Sequence, residues 1–584
     1  MPNLLAMSFE GALAPSFDLR CLHPGRTPPD GWGIGYYPGG EPSATVLKEP
    51  APPTGSIRSE LVKAWEHLES SIFLVHVRTA TWGASTDANT QPFERPWGGR
   101  DWLFAHSGSL RERPLRHRAQ PFQPVGATDT EAVLCEVLDR FRGRGACAIG
   151  EIDPTELLGW FAALNELGTL TSVLSDGLDL AVYADRDPAA PGVWLWEALP
   201  PYTHLALSDQ DLVVDLTRRG PKSRKGVVVS TEPLAVDSEW QGEWRRVPPG
   251  HLVIIRQGAV RTDLAPGPGA WAGPGIPDSL VRRHAEHPVR AQATTYDVVH
   301  RTTYRYQQAV ERSTHLFRLQ PLHDTLQALK SFDLSISVDG QAREYQDVFG
   351  NPTRRLTVDR PFSEMVVEAR SRVEVLDRDP LSYRPARMRT TIPLVWMPWQ
   401  RQVLQPFLLP EELPESELTE LIEYAMSFVE RNDYDLLETL LDLNESIHRE
   451  YRYVQGATDL LTTPFETYVN RRGVCQDFTN LFICLARLLS IPARYVCGYL
   501  YTGPKATNTA QGEASHAWAQ VYLPEVGWRG FDPTNGVITQ TNHIRLAVGR
   551  SWRDATPTSG TLFVGGGGET LEVDVRVEPV PIGT

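Results

Sequence analysis

The stretch RRGVCQDFTNLFICLARLLSIPARYVCGY, residues 471–499, places Cys475 immediately before an amphipathic helix. The apolar side chains that follow at helical spacing are Phe478, Leu481, Phe482, Leu485, Leu488 and Leu489. Pro492 ends this pattern. The partial positive charge at a helix N-terminus stabilises a thiolate, and the nearby charge of Arg471 favours the same anion. The stretch therefore predicts a helix that begins with a reactive cysteine.

Two later segments supply the partners that such a cysteine needs. SHAWAQVYLPEVGW (515–528) alternates as a strand that carries His516, and FDPTNG (531–536) brings Asp532 to the end of the next strand. Two antiparallel neighbours would place Asp532 beside His516. A thiolate attacks a carbonyl carbon, an imidazole transfers the proton, and a carboxylate orients the imidazole. Cys475, His516 and Asp532 are therefore the candidate catalytic residues, although their spacing by itself also fits a purely structural role.

The motifs GVCQDF, SHAW and GWRGFDPTN resemble the transglutaminase-like superfamily, in which the catalytic cysteine opens a helix of a papain-like core. YDVVHRTTYRYQQAVERSTHLFRLQP (296–321) is similar to the bacterial transglutaminase-like amino-terminal β-domain, and the resemblance extends over residues 296–580. It implies that Cys475 is the nucleophile, His516 the base and Asp532 the orienting acid. The implied reaction is acyl transfer from a peptide or protein amide through a thioester, with hydrolysis favoured. Protein-glutamine transamidation and a non-catalytic binding or scaffold role are the alternatives.

The amino-terminal half resembles the compact bacterial class II glutamine amidotransferases. The segments that carry this resemblance are DGWGIGYY (30–37), FLVHVRTATWGASTDANTQPF (73–93), WLFAHSGSL (102–110) and PVGATDTEAV (124–133). By the resemblance, Arg78 and Asp129 hold the carboxylate and the amine of glutamine. Asp129 also stands where the N-cap of a helix over residues 129–141 is expected.

This half departs from the amidotransferase pattern at both positions that perform the chemistry. The family has a nucleophilic cysteine at position 2, where this sequence has Pro2, and its oxyanion-binding Asn-Gly pair is Ser107-Gly108 here. Nothing in the sequence assigns Cys21 to the missing role. We therefore expect a degenerate domain that is kept as a scaffold or as a module for a glutamine-like ligand. Alternatively, Arg78 and Asp129 form a buried ion pair, or Pro2 serves as an amine nucleophile.

The length of 584 residues predicts three or four domains at about 150 residues each. We expect an α+β multidomain chain with a four-layer αββα amidotransferase-like domain, a β-sandwich-like domain and a papain-like, transglutaminase-like α+β core. The expected bounds are 1–262 for the first domain, 263–292 for a Gly/Pro-rich linker, 293–380 for the β-domain and 381–584 for the core with its helical lead-in.

Composition excludes several other classes of function. The net charge of −15 argues against binding to nucleic acid or to an anionic membrane. The sequence has neither a secretory signal nor an apolar run of about 18 residues, so we expect a cytoplasmic protein. Its six cysteines include no CxxC pair, and no nucleotide-binding fingerprint appears. We therefore expect no metal and no cofactor.

Overall fold

The computed structural model describes residues 3–20, 29–40, 42–65, 68–79, 83–114, 120–218, 223–238, 242–267, 293–376, 390–503, 515–524 and 526–580. The chain divides into two compact units, Met1–Asp278 and Ser279–Thr584. Most of the predicted linker, from residue 268 to 292, lies outside the described residues, as do Pro2 and Cys21. Within the described ranges, no helix combines the length and the apolar character needed to cross a membrane.

The first unit is rich in short strands. Its strands are β1 (Leu4–Leu13), β2 (Ser16–Leu19), β3 (Gly31–Tyr36), β4 (Thr45–Glu49), β5 (Ser70–Arg78), β6 (Phe93–Trp97), β7 (Arg100–Ser107), β8 (Thr171–Ser175), β9 (Asp179–Tyr183), β10 (Val193–Ala198), β11 (Leu205–Ser208), β12 (Leu212–Asp215), β13 (Gly226–Ser230), β14 (Ala235–Ser238), β15 (Arg245–Val247), β16 (Leu252–Arg256) and β17 (Ala259–Leu264). Its helices are α1 (Ile57–Ala64), α2 (Asp129–Arg144) and α3 (Pro154–Asn165).

Two large sheets of this unit pack face to face. One has the strand order β15-β10-β13-β1-β5-β3-β4, and the other has the order β17-β16-β9-β8-β7-β6. Along β1, Leu4 and Ala6 enter the core between the sheets, whereas Leu5 and Met7 face the opposite side, as the two-residue period of a strand requires. β5 ends at Arg78 and β7 ends at Ser107, whereas Asp129 is the first residue of α2.

The outer faces of the two sheets are covered differently. α2 and α3 pack on the sheet that contains β7. The sheet that contains β1 is covered by α1 and by a smaller sheet of order β14-β11-β12-β2, so a β layer lies there in addition to the expected helix. Thr128 caps α2 by accepting a hydrogen bond from the Glu131 N–H at 3.3 Å. Asp129, expected at the cap, is instead the first helical residue.

The second unit combines long strands with a helical region. Its strands are β18 (Thr294–Phe317), β19 (Gln327–Ile336), β20 (Gln341–Gln346), β21 (Pro352–Val358), β22 (Phe362–Val375), β23 (Arg452–Tyr453), β24 (Arg472–Gly473), β25 (Ala493–Leu500), β26 (His516–Leu523), β27 (Gly527–Asp532), β28 (Val537–Ile538), β29 (His543–Gly549), β30 (Thr558–Gly565) and β31 (Thr570–Pro579). Its helices are α4 (Pro398–Leu404), α5 (Glu415–Arg431), α6 (Leu436–Glu450), α7 (Pro464–Asn470), α8 (Cys475–Leu488) and α9 (Trp552–Ala555).

The long strand β18 organises the β-region of this unit. Its first half pairs with β22 and β31, and its second half pairs with β21 and β30. The terminal strands β30 and β31 therefore belong to the sheet of the β-region, although the predicted bounds assign them to the core. Sequence pattern identifies them as strands but contains no signal for pairing across more than 240 residues.

The core that carries the candidate catalytic residues is a sheet of order β28-β27-β26-β25-β29 with α8 against it. The apolar stripe predicted for α8 is buried, with Leu481 and Leu485 fully enclosed. β26 and β27 form the predicted antiparallel hairpin, in which Ala519 pairs with Phe531. This packing brings the first residue of α8 toward the strand that begins at His516.

Candidate active site

Cys475 is the first helical residue of α8, and Val474 in extended conformation precedes it. The thiol side chain is half-buried, whereas Cys484 and Cys497 are buried. The chain enters this turn from Arg471, a buried residue in left-handed conformation with φ 50°. Its guanidinium contacts Glu450 at 3.7 Å and stacks on three tyrosine rings at 4.7–4.9 Å, those of Tyr424, Tyr451 and Tyr468. Glu450 and the three tyrosine rings thus fix the guanidinium of Arg471 inside the fold.

His516 and Asp532 are joined by a short hydrogen bond inside the core. Nε2 of His516 lies 2.8 Å from Oδ2 of Asp532, and both side chains are buried. Cys475 lies close enough to His516 for its side chain to help raise the pKa of the imidazole. Since Nε2 faces the carboxylate, Nδ1 is the ring nitrogen left to face the thiol. The structure thus brings the three predicted residues together.

The charge state of His516 follows from these contacts. Burial disfavours the charged imidazolium, but the charge and hydrogen bond of Asp532, together with Cys475, outweigh burial and raise the pKa of His516 to about 10. Burial likewise opposes the charged form of Asp532, yet His516 and His543 lower the pKa of Asp532 well below its usual range. An imidazolium at His516 is therefore favoured at neutral pH.

Asp532 has further donors that sequence reasoning missed. Its Oδ2 also accepts from Asn535 Nδ2 at 2.7 Å and from His543 Nε2 at 3.1 Å, and its Oδ1 accepts from the Thr534 N–H at 3.1 Å. The Asn535-Gly536 pair, which begins three residues after Asp532, is a turn signal that could have identified Asn535. His543 lies in an apolar strand pattern and gives no comparable signal.

His516, Asp532 and His543 are close enough to be considered as ligands for a metal, because one atom from each lies within 4.8 Å of the others. In this geometry each histidine is hydrogen-bonded directly to the same carboxylate oxygen. A cation placed among the three would have to break both hydrogen bonds. The arrangement therefore fits a hydrogen-bonded network better than a metal centre.

The first unit contains a cavity of about 340 Å³ at the ends of β5 and β7. All four predicted ligand-holding residues of the amidotransferase-like pocket line it, namely Arg78, Ser107, Gly108 and Asp129. Burial lowers the pKa of Arg78, and the charge of Asp30 partly offsets this. Asp129 Oδ2 accepts from the Leu110 N–H at 2.8 Å, which fixes the carboxylate at the cavity wall.

Two buried histidines also line this cavity. Burial lowers the pKa of His76 to about 3 and lowers the pKa of His106, so both rings are neutral near pH 7. Nε2 of His106 lies 3.0 Å from the Thr169 carbonyl oxygen, and Nδ1 lies 3.1 Å from the Thr130 hydroxyl. A Cβ at Gly108 would lie 2.4 Å from that carbonyl oxygen, so this position requires glycine. Both histidines are part of the cavity wall, a placement that the sequence did not predict.

Comparisons with known families agree with this division. Residues 1–268 match the model of the class II glutamine amidotransferases. Residues 296–374 match the bacterial transglutaminase-like N-terminal region, and residues 423–533 match the transglutaminase-like superfamily.

Individual relatives cover one part of the chain at a time. An uncharacterized protein of Mycobacterium tuberculosis is 31% identical over 303 residues, which make up 49% of this chain and 92% of that protein. The Escherichia coli protein named "Putative glutamine amidotransferase YafJ" is 30% identical over 233 residues, or 38% of this chain and 87% of that protein. A solved structure described as a "Putative Cysteine Protease from Cytophaga hutchinsonii" is 22% identical, with a TM-score of 0.41 and coverage of 50% of this chain and 93% of that one.

The fold and the motifs define a protein that joins an amidotransferase-like unit to a papain-like one. The chain belongs to the class II glutamine amidotransferases through its amino-terminal domain, and bacterial transglutaminase-like N-terminal and core domains follow. The sequence departs from the amidotransferase pattern at two positions, where it has Pro2 and Ser107.

Proposed function

We propose that the second unit is a thiol-dependent enzyme that cleaves amide bonds of peptides or proteins through a thioester. The observation that carries this proposal is the connected set of Cys475 at a helix N-terminus, His516 beside it and Asp532 at 2.8 Å from His516. Helix position and imidazolium both favour the thiolate, which is the nucleophilic form of cysteine.

In the acylation step, the thiolate of Cys475 attacks the amide carbonyl carbon and forms a C–S bond. The carbonyl electron pair moves onto oxygen, and the backbone N–H of Cys475 is a suitable donor to this oxyanion because N–H groups of the first helical turn have no intrahelical acceptor. His516 then gives its proton to the leaving amine as the C–N bond breaks. Asp532 stabilises the imidazolium before the transfer and holds the neutral ring afterwards.

In the deacylation step, neutral His516 takes a proton from water while the water oxygen attacks the thioester carbon. The C–S bond breaks, the carboxylic acid leaves, and the thiolate–imidazolium pair is restored. Hydrolysis needs fewer features in the site than transamidation, because transamidation also requires a binding site for the amine acceptor. We therefore infer that water is the acceptor, with the amine reaction as the competing outcome.

The thiolate can be tested by alkylation with iodoacetamide at pH 7, followed by peptide mapping. Burial raises the pKa values of Cys484 and Cys497 to about 12, so these two thiols serve as internal controls. We expect rapid alkylation of Cys475 and little at the controls. Equal labelling of the three residues would refute a catalytic thiolate at Cys475.

The acceptor can be tested with casein as the amide source, in the presence and absence of dansylcadaverine. Hydrolysis predicts new peptide termini or released ammonia that depend on Cys475, with little dansyl incorporation. Cys475→Ala should abolish the reaction, whereas Cys484→Ala should retain it. Cys475-dependent dansyl incorporation in place of hydrolysis would establish transamidation instead.

We also propose that the cavity of the first unit binds a glutamine-like amino acid without hydrolysing it. The carrying observation is that Arg78 and Asp129, a cation and an anion suited to an α-carboxylate and an α-amine, line the same cavity. Titration calorimetry with L-glutamine and L-glutamate tests this, and Arg78→Gln and Asp129→Asn should each remove the binding heat. Glutamine that binds equally well to both variants would place the ligand elsewhere, and Pro2-dependent ammonia release would restore the amine-nucleophile alternative.

A further inference from the structure

His543 and His516 direct their Nε2 atoms at the same oxygen of Asp532. The distances to Oδ2 are 3.1 Å for His543 and 2.8 Å for His516, and all three side chains are nearly or fully enclosed. The sequence analysis gives no role to His543, and the reaction described above does not require it. A buried histidine at the orienting carboxylate of a proposed catalytic site nevertheless affects how that carboxylate is held.

The protonation of His543 follows from its surroundings. Burial lowers the pKa of His543, although Asp532 acts in the opposite direction. A neutral imidazole has one N–H, and a carboxylate can only accept, so the proton lies on Nε2 and is donated to Asp532. Nδ1 is then an acceptor, and the nearest Asn542 atom is Oδ1 at 2.9 Å. A rotation of this amide by 180° about its terminal bond exchanges oxygen and nitrogen and lets its NH₂ group donate to Nδ1.

The sheet is built so that His543 can reach this position. β25 separates β29 from β26, and Gly498 of β25 pairs with His516 on one side. A Cβ at Gly498 would lie 2.4 Å from the Trp518 ring, so its absence makes room for the indole. The ring of Trp518 packs edge-on against His543 at 5.1 Å. The indole and the strand together hold the imidazole plane of His543 in place.

We propose that His543 is a positioning residue for the Cys475–His516–Asp532 set, an inference that rests on the proposed amide-cleaving function. Its N–H and the side-chain amide of Asn535 both donate to Oδ2 of Asp532, and these hydrogen bonds oppose rotation of the carboxylate. Oδ2 is thereby kept pointing at His516 Nε2, and Nδ1 of His516 stays directed at the thiol. His543 touches neither the thiol nor the acyl group in this scheme, and it acts through Asp532.

The matched variants are His543→Leu, which fills the space without a donor, and His543→Gln, whose side-chain NH₂ can replace Nε2–H. With p-nitrophenyl acetate as the acyl donor, we expect His543→Leu to lower kcat roughly 10- to 100-fold, since this is the usual effect of losing a hydrogen bond to a charged group. KM should change less than about threefold because substrate contacts are intact. His543→Gln should recover most of kcat.

The iodoacetamide alkylation rate of Cys475 is the second readout, because it needs no substrate. We expect the order wild type, then His543→Gln, then His543→Leu, in protein that shows the same far-UV circular dichroism. Folded His543→Leu with wild-type kcat and alkylation rate would overturn the positioning role, as would folded His543→Gln that is no better than His543→Leu. If wild type turns over neither the ester nor casein while the alkylation order holds, the proposed function is rejected and the positioning role stands.

Discussion

Asp477 accepts a hydrogen bond of 2.8 Å from the backbone N–H of Val474, the residue immediately before Cys475. The same carboxylate oxygen accepts from the Thr458 hydroxyl at 2.6 Å, so Asp477 ties the start of α8 to the preceding loop. Burial raises the pKa of Asp477 above its ordinary value, while the hydrogen bond from Thr458 opposes this. The turn that presents the thiol is thus held by a buried carboxylate two residues further along the chain.

We expect Asp477→Ala to lower the free energy of unfolding by about 1 kcal/mol or more, the usual effect of losing a helix-capping side chain. It should also slow alkylation of Cys475, because the first turn of α8 loses its fixed start. Asp477→Asn keeps an oxygen that can accept from Val474 and should retain both properties more fully. Urea denaturation and timed alkylation measure the two effects, and equal behaviour of the Ala and Asn variants would contradict this role.

The raised pKa of His516 predicts a loss of stability in alkaline solution. The folded-state pKa is about 10 and the unfolded value is 6.5, so the folded state binds the proton more tightly. The stabilisation is fully present below pH 6.5 and is lost as the pH rises toward about 10. Urea denaturation across this range should show a falling free energy of unfolding, with a smaller slope in Asp532→Asn.

Asp554→Asn is the control for that measurement. Asp554 is paired with Arg550 and not with a histidine, so its removal should leave the alkaline slope unchanged. If Asp532→Asn retains the full wild-type slope, the charge of Asp532 is not what raises the pKa of His516.

A buried hydrogen bond between Tyr499 and His300 connects the core sheet to the β-region. The Tyr499 hydroxyl and His300 Nδ1 share a hydrogen bond of 2.8 Å, and His300 is neutral because burial lowers its pKa to about 4. Tyr499→Phe leaves the buried Nδ1 of His300 without its hydrogen-bond partner, which costs about 1–3 kcal/mol. We expect urea denaturation to show this loss of unfolding free energy in Tyr499→Phe. Tyr501→Phe should lose less, because Tyr501 is only half-buried. Equal losses of unfolding free energy in the two variants would show that the Tyr499–His300 hydrogen bond does not contribute to stability in this way.

Much of the candidate site could be predicted from local sequence pattern. The spacing of Leu481 and Leu485 and the position of Pro492 define α8 because burial of one helix face imposes a 3.6-residue period. The alternation after His516 and the turn after Leu523 define a hairpin whose two strands are close in sequence. Such features depend on residues within one or two elements, and pattern alone resolves them.

The remainder depends on contacts between distant strands. His543 of β29 reaches Asp532 of β27 across β25 and β26, and its position is set by sheet order, which no local pattern encodes. β31 pairs with β18 over a separation of more than 250 residues for the same reason. Arg471 shows a related limit, because the three tyrosine rings around its guanidinium come from separate parts of the helical region, and no local pattern indicates that they meet there.

Gly108→Ala tests whether the cavity of the first unit depends on the close approach of Gly108 to Thr169. The added Cβ would lie 2.4 Å from the Thr169 carbonyl oxygen and 2.8 Å from His106 Nε2, and the backbone has φ +148°. Gly99→Ala is the matched control, because its φ is +81° and nothing lies within 4 Å of the added Cβ. We expect the control to lose about 1 kcal/mol of unfolding free energy from its backbone conformation.

Gly108→Ala should lose clearly more unfolding free energy than Gly99→Ala, because the contact must also be relieved by moving the cavity wall. It should also abolish glutamine binding in calorimetry. Equal losses of stability, with glutamine binding unchanged in both variants, would show that the wall at Thr169 adapts and that the contact does not shape the cavity.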